Sequence, residues 1–260
     1  GGGWGPRGAP PTHPPRGGVW GVGGRARGAL SGRGAAAGGP PPPLLPDAWG
    51  VDLCVIGAQK AMGGPAGVSA VSVSARAWER IAANPAAPRR SYLSLLDWKE
   101  RWIDGGRTAL PHAPAQLEML GLEACVARIE DEGLDTVTAR HASAAAATRA
   151  GAVALGGGLE PYVHEARDAA PVATTLRAPA GTDAAALVAA ALAADPALPL
   201  VAGGGALSKE MIRVNHYGAD ATRGAVLSSL AALGAVLTDA GRRVDIEAAR
   251  RAVSETWPSL

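Results

Sequence analysis

Val51-Asp-Leu-Cys-Val-Ile-Gly-Ala-Gln-Lys-Ala-Met-Gly-Gly-Pro-Ala-Gly67 is a short apolar run that feeds directly into a lysine and then into a loop of glycine and proline. Residues 51–56 read as a buried strand of the parallel type. Gly57-Ala58-Gln59-Lys60 ends it, and Gly63, Gly64, Pro65 and Gly67 follow. Such a lysine has a fixed stem, a primary amine, and pliable backbone that leaves room for a flat ring. That is the layout required of a lysine that attacks a carbonyl. A lysine after a strand is ordinarily a solvated loop residue, because lysine is rarely buried. The segments around Lys60 therefore have to decide between the two readings.

Working outward, 68–74 has the β-branched signature of a second strand, and 75–83 a short helix stopped by Asn84-Pro85. The stretch 91–102 is rich in aromatics: Tyr92, Trp98 and Trp102. Packing on a core and a ligand role both fit it. Thr108-Ala-Leu-Pro-His-Ala-Pro114 opens a helix over 115–132 with Gly133 as its stop, and a second helix spans 134–155 up to Gly156. Residues 172–177 alternate like a strand, and Thr182 caps a helix through Ala194. Residues 198–202 and 211–215 form a strand pair around Gly203-Gly-Gly205, and Asp220 caps a long helix ending at Gly241. That helix shows an apolar face of Val226, Leu227, Leu230, Leu233, Val236 and Leu237. The glycines before Lys209 are no phosphate loop, which needs Gly-Lys-Ser/Thr at a helix start. Arg213 lies in an apolar strand and needs a partner for its fork of donors, which a structural ion pair would supply.

At 260 residues with 47% hydrophobic composition the chain can bury a substantial core, but it has no phenylalanine, so alanine, valine and leucine must fill it. Cys54 and Cys125 sit in apolar surroundings and read as core residues of a reduced cytoplasmic protein rather than a disulfide framework. The five histidines are scattered without metal-ligand spacing. No run of 18 apolar residues and no signal-type segment is present, so no membrane association is expected.

Residues 1–43 have a different composition, with fifteen glycines, nine prolines, five arginines and no acid. The whole chain is +2, but without those arginines the remainder carries 20 basic and 23 acidic residues, a net of −3. The body thus has no electrostatic case for nucleic acid. The tail reads as a disordered low-complexity segment or as an out-of-frame translation of a G+C-rich gene; an arginine/glycine nucleic-acid arm with Trp4 and Trp20 for stacking is the weaker alternative.

From about Leu44 to Ala240 these segments resemble, in order and spacing, the class V pyridoxal-phosphate aminotransferases, and within them the alanine/serine–glyoxylate branch. The resemblance implies an α/β fold: the C-terminal part of a fold-type-I pyridoxal-phosphate-dependent transferase. A partial large domain would span 44–133 and a small α/β domain 134–260. It implies that Lys60 carries pyridoxal 5'-phosphate covalently and moves the α-proton, that Gln59 and His112 help bind the cofactor, and that Arg213 binds the substrate α-carboxylate. The substrates would be a small amino acid and a 2-oxo acid such as glyoxylate or pyruvate, and the protein a cytoplasmic homodimer with no nucleic-acid partner. Two departures stand out. The family threonine of Pro-His-Thr-Pro is Ala113, and the window 30–39, where the family places a ring-nitrogen aspartate, holds no acid. The chain therefore resembles an N-terminally truncated enzyme with an impaired site. The alternatives are an inactive fragment, a partner-dependent subunit, or a lyase or desulfurase relative. Gln59, where those relatives place histidine, argues against the last.

Overall fold

The computed structural model describes residues 46–257, together with the backbone of two short strands upstream, β1 (Trp20–Val22) and β2 (Gly32–Gly34). β1 pairs antiparallel with β2, β2 runs parallel to β3 (Leu53–Gly57), and β3 pairs antiparallel with β4 (Ser69–Val73). The strand expected to be a buried parallel one is thus parallel to one neighbour and antiparallel to the other. It is not buried throughout: Cys54 is buried and Val55 exposed. The tail expected to be without structure contributes the six paired residues of β1 and β2; the rest of 1–45 lies outside the described residues.

Helix α1 (Ala75–Ala82) follows β4, with the Ser74 side chain accepting from the Ala77 amide as its N-cap. The aromatic stretch forms a single turn, α2 (Leu95–Trp98), continuing into a π-helical turn at Lys99–Ile103. Only Leu96 of this pair of turns is buried, and Tyr92 is 71% exposed, so Tyr92 does not pack on a core. α3 (Gln116–Glu132) and α4 (Leu134–Leu155) are separated by Gly133 alone.

The second sheet is antiparallel throughout, in the order β5 (Glu160–Pro161), β6 (Ala173–Arg177), β8 (Met211–Asn215), β7 (Leu200–Ala202). α5 (Ala184–Ala194), α6 (Arg223–Asp239) and α7 (Ile246–Thr256) complete the described chain. Its main core joins this sheet to four helices. Leu176, Leu200, Ile212 and Val214 meet Ala144, Ala147, Ala152 and Leu155 of α4, Leu187 and Val188 of α5, Val226, Leu230, Leu233 and Leu237 of α6, and Ala249 and Val253 of α7. Small residues let these helices approach closely: a Cβ added at Gly151 of α4 would collide with Leu230 and Val253. A core without phenylalanine is filled this way, by bringing backbones together instead of adding side-chain volume. No helix among the described residues is long and apolar enough to cross a membrane.

Two caps differ from the sequence reading. Asp183, not Thr182, caps α5, accepting from the Ala185 and Ala186 amides, while the Thr182 hydroxyl donates to Pro179 O. Thr222, not Asp220, caps α6, because Gly218–Asp220 forms its own 3-10 turn.

Candidate active site

Lys60 sits in a tight turn at the end of β3. The Gly63 amide donates to Lys60 O at 2.9 Å, and the Gly64 amide donates to Ala58 O at 2.8 Å. The turn rests on α3: Arg128 Nη2 donates to Met62 O at 2.6 Å, Cys125 Sγ lies 3.8 Å from Gly63 O, and the Gly67 amide reaches Glu118 Oε2 at 3.4 Å. Cys125 is buried beneath it, as is Cys54 in β3, whose thiol pKa burial raises; neither is in a disulfide.

On its other side the lysine turn touches the segment that follows β8. A Cβ on Gly63 would lie 2.8 Å from Gly218 Cα, and one on Gly218 would lie 2.6 Å from Gly63 Cα. Both glycines have positive φ, +62° and +52°. The contact is backbone against backbone and admits no side chain. Arg140 of α4 fixes the second segment. Its Nη1 donates to Gly218 O at 2.8 Å and Ala221 O at 3.3 Å, while Nε and Nη2 grip Glu132 at 2.6 and 2.9 Å. The guanidinium holds the Glu132 carboxyl below the usual carboxylate range.

This docking brings Tyr217 to the lysine. Lys60 Nζ donates to Tyr217 Oη at 3.3 Å and lies 4.6 Å from the centre of its ring. No carboxylate pairs with Lys60 among the described residues. Asp52, eight residues upstream, is buried and engaged by Arg76 and by the Ser74 hydroxyl. Gln59 is exposed, its side chain folded back over Gly57, where a Cβ would lie 2.5 Å from Gln59 Oε1.

Arg213 occupies the middle of β8, opposite Thr175 on β6 and Val201 on β7, neither of them charged. Its Nε is buried without a hydrogen-bond partner, and it makes no ion pair among the described residues, so the structural ion pair finds no second member. Asn215, two residues on and so on the same side of the strand, also has an unpartnered buried oxygen, Oδ1. Ile212 and Val214 face the core instead. His216 turns inward with them: its Nε2 shares a 2.9 Å hydrogen bond with Thr174 Oγ1, and burial, with a smaller contribution from His141, lowers its pKa to about 3. It is a neutral structural histidine. His112 lies apart, its ring 6.3 Å from that of Trp98 and its Nε2 buried without a partner. No hydrogen bond joins His112 to Lys60 or Gln59 among the described residues.

The structure thus brings Lys60 to Tyr217, four residues beyond Arg213 and just past the end of β8; Tyr217 and Asn215 were not singled out from the sequence. A tyrosine 157 positions away leaves no spacing signal. The only available hint was the continuation of the period-two pattern from Arg213.

No protein-family model matches the chain. Among curated proteins it is 35% identical over 201 residues to the pyridoxamine–pyruvate transaminase of Mesorhizobium japonicum, covering 77% of this chain and 50% of that protein. It is 28% identical over 202 residues to the serine–glyoxylate aminotransferase of Methylorubrum extorquens, covering 78% and 49%. Among solved structures, the pyridoxamine–pyruvate aminotransferase of Mesorhizobium loti superposes with a TM-score of 0.75 at 33% identity, covering 82% of this chain and 53% of that one. The chain spans about half the length of the curated relatives it matches. The fold over that half is that of a pyridoxal-phosphate-dependent aminotransferase. Its homologues and structural neighbours alike are class V pyridoxal-phosphate-dependent aminotransferases, and the chain is similar to them over the half that it spans.

Proposed function

We propose that this chain supplies the lysine-bearing part of an aminotransferase site that moves an amino group between a small amino acid and glyoxylate or pyruvate. The observation that carries the reading is Lys60. Its amine has no acidic partner among the described residues and stands in a glycine-rich turn locked between α3 and the end of β8. The donor set fits pyridoxal phosphate: a primary amine with no carboxylate on it, the exposed amide of Gln59 for a phosphate, and a cation on β8 whose buried Nε finds no acceptor among the described residues. Bound pyridoxal phosphate supplies an electron sink for the carbanion left when an α-proton departs. Lys60 Nζ is the base that takes this proton and the acid that returns it. Arg213 holds the α-carboxylate through paired N–H donors and so orients the Cα–H bond.

On its own the chain is expected to act weakly. The window 30–39 offers no carboxylate for the ring nitrogen, and Ala113 offers no hydroxyl for the phosphate. Electrostatic stabilisation of this kind contributes on the order of several kcal/mol to enzymatic rate enhancement. The exposed apolar residues of α3, among them Leu117 at 84% and Leu120 at 60%, favour a homodimer, and the two free cysteines favour the cytoplasm. His112 is kept as a cofactor contact on its unpartnered Nε2 alone.

The test combines borohydride reduction in the presence of pyridoxal phosphate with peptide mapping and an alanine-to-glyoxylate assay. Label concentrated on Lys60, abolished by Lys60→Ala, is the expected result. Label spread evenly over Lys60, Lys99 and Lys209 means that no site is formed.

A further inference from the structure

Lysine ends a flexible four-carbon stem, and an unrestrained amine samples many positions. Here the amine is restrained at two points of one side chain, by the hydrogen bond to Tyr217 Oη and by the face of the Tyr217 ring. Tyr217 is itself held on both sides. His216 before it is buried and bonded to Thr174, and Gly218 after it is pressed against Gly63 and bonded to Arg140. A tyrosine fixed by its neighbours on a segment that docks the lysine turn has the rigidity a positioning group requires.

The geometry points to Tyr217 as the positioning residue of the Lys60 amine, holding Nζ at the mouth of the glycine/proline turn for attack on a carbonyl carbon. This rests on the reading of Lys60 as the cofactor-bearing lysine. In that step Nζ gives its lone pair to the aldehyde carbon, a C=N bond replaces C=O, and the two N–H hydrogens leave with the aldehyde oxygen as water. Tyr217 takes no part in the bond changes; it shortens the search of the nitrogen for the carbon.

The chain has only three lysines, so the test can follow each one separately. In the cofactor-free full chain, reductive methylation with carbon-13 formaldehyde gives one N-methyl resonance per lysine. That of Lys60 should be displaced upfield from that of Lys209 by the Tyr217 ring current, retained in Tyr217→Phe and lost in Tyr217→Leu. With pyridoxal phosphate as probe and borohydride as trap, Tyr217→Phe should lower the maximum rate of Lys60 labelling roughly tenfold, the scale of one hydrogen bond. The half-saturating concentration should stay unchanged. A merely structural role would raise that concentration, because a loosened turn binds the probe less well. A maximum rate within about twofold of the unaltered chain, or an upfield displacement that survives Tyr217→Leu, overturns the inference. Even labelling of all three lysines in the unaltered chain overturns the reading of Lys60 itself. Preferential labelling of Lys60 that is indifferent to Tyr217 overturns the inference alone.

Discussion

Gly218→Ala tests whether the lysine turn and the end of β8 are docked backbone to backbone. At φ +52° a Cβ costs about 1–2 kcal/mol by itself. The added methyl would also lie 2.6 Å from Gly63 Cα and 3.0 Å from Gly63 N, against atoms that no rotamer can move aside. Forcing a group into a filled space of this kind costs about 1–3 kcal/mol. Together the two place the loss at about 3 kcal/mol, a fall in melting temperature of roughly 6–12 °C for a chain of this size. Gly224→Ala is the matched control: it lies in the first turn of α6 with ordinary φ and nothing within 4 Å of the new Cβ. It should raise stability by about 0.5–1 kcal/mol through helix propensity. Both variants are read by thermal unfolding followed by circular dichroism. If Gly218→Ala melts with the unaltered chain, the two segments are not in contact and the placement of Tyr217 over Lys60 goes with it.

Acid should unfold the chain through its buried histidines. His216 has a folded-state pKa of about 3 against an ordinary value of 6.5, and burial lowers that of His141 too. The unfolded chain therefore binds more protons below pH 6.5, and stability is full above that value and falls as the pH drops toward 3. The urea midpoint should follow that limb, and His216→Gln should flatten it; an unaltered limb in the variant refutes the assignment. Arg140→Met removes the donors of the buried Gly218 O and Ala221 O and the partner of the partly buried Glu132, and should cost about 1–3 kcal/mol. A urea midpoint equal to that of the unaltered chain would show the clamp to be idle.

Several elements were legible because glycine punctuates them. α4 was placed between Gly133 and Gly156 and has those bounds, and the apolar face read for α6 is the one that enters the core. Where two capping residues stood close together the local sequence could not choose between them. Thr182 and Asp220 lost to Asp183 and Thr222 because of hydrogen bonds and turns formed outside the helix. α7 went unread although Asp245 caps it and Ala249 and Val253 repeat at four residues, and the π-helical turn after Trp98 has no periodic signal. In the site, Lys60 could be found because a strand end and a glycine loop are local features. Tyr217 and Asn215 could not, because their significance comes from the approach of β8 to a turn some 150 residues earlier in the chain, and only the packing of Gly63 on Gly218 creates it.

β4 has a bearing on how the protein behaves in the test tube. Among the described residues it is the edge strand of its sheet, and Val71, paired with Val55 on β3, remains 43% exposed, as Val55 remains 40% exposed. An edge with free backbone groups beside a wet apolar pair is a template on which a second strand can add. The edge residues Ser69, Ala70 and Ser72 carry no charge to deter that addition. Concentrated solutions of this chain should therefore scatter light and lose monomer through intermolecular sheet, and lysine in place of Ser72 should extend its shelf life without touching the lysine turn.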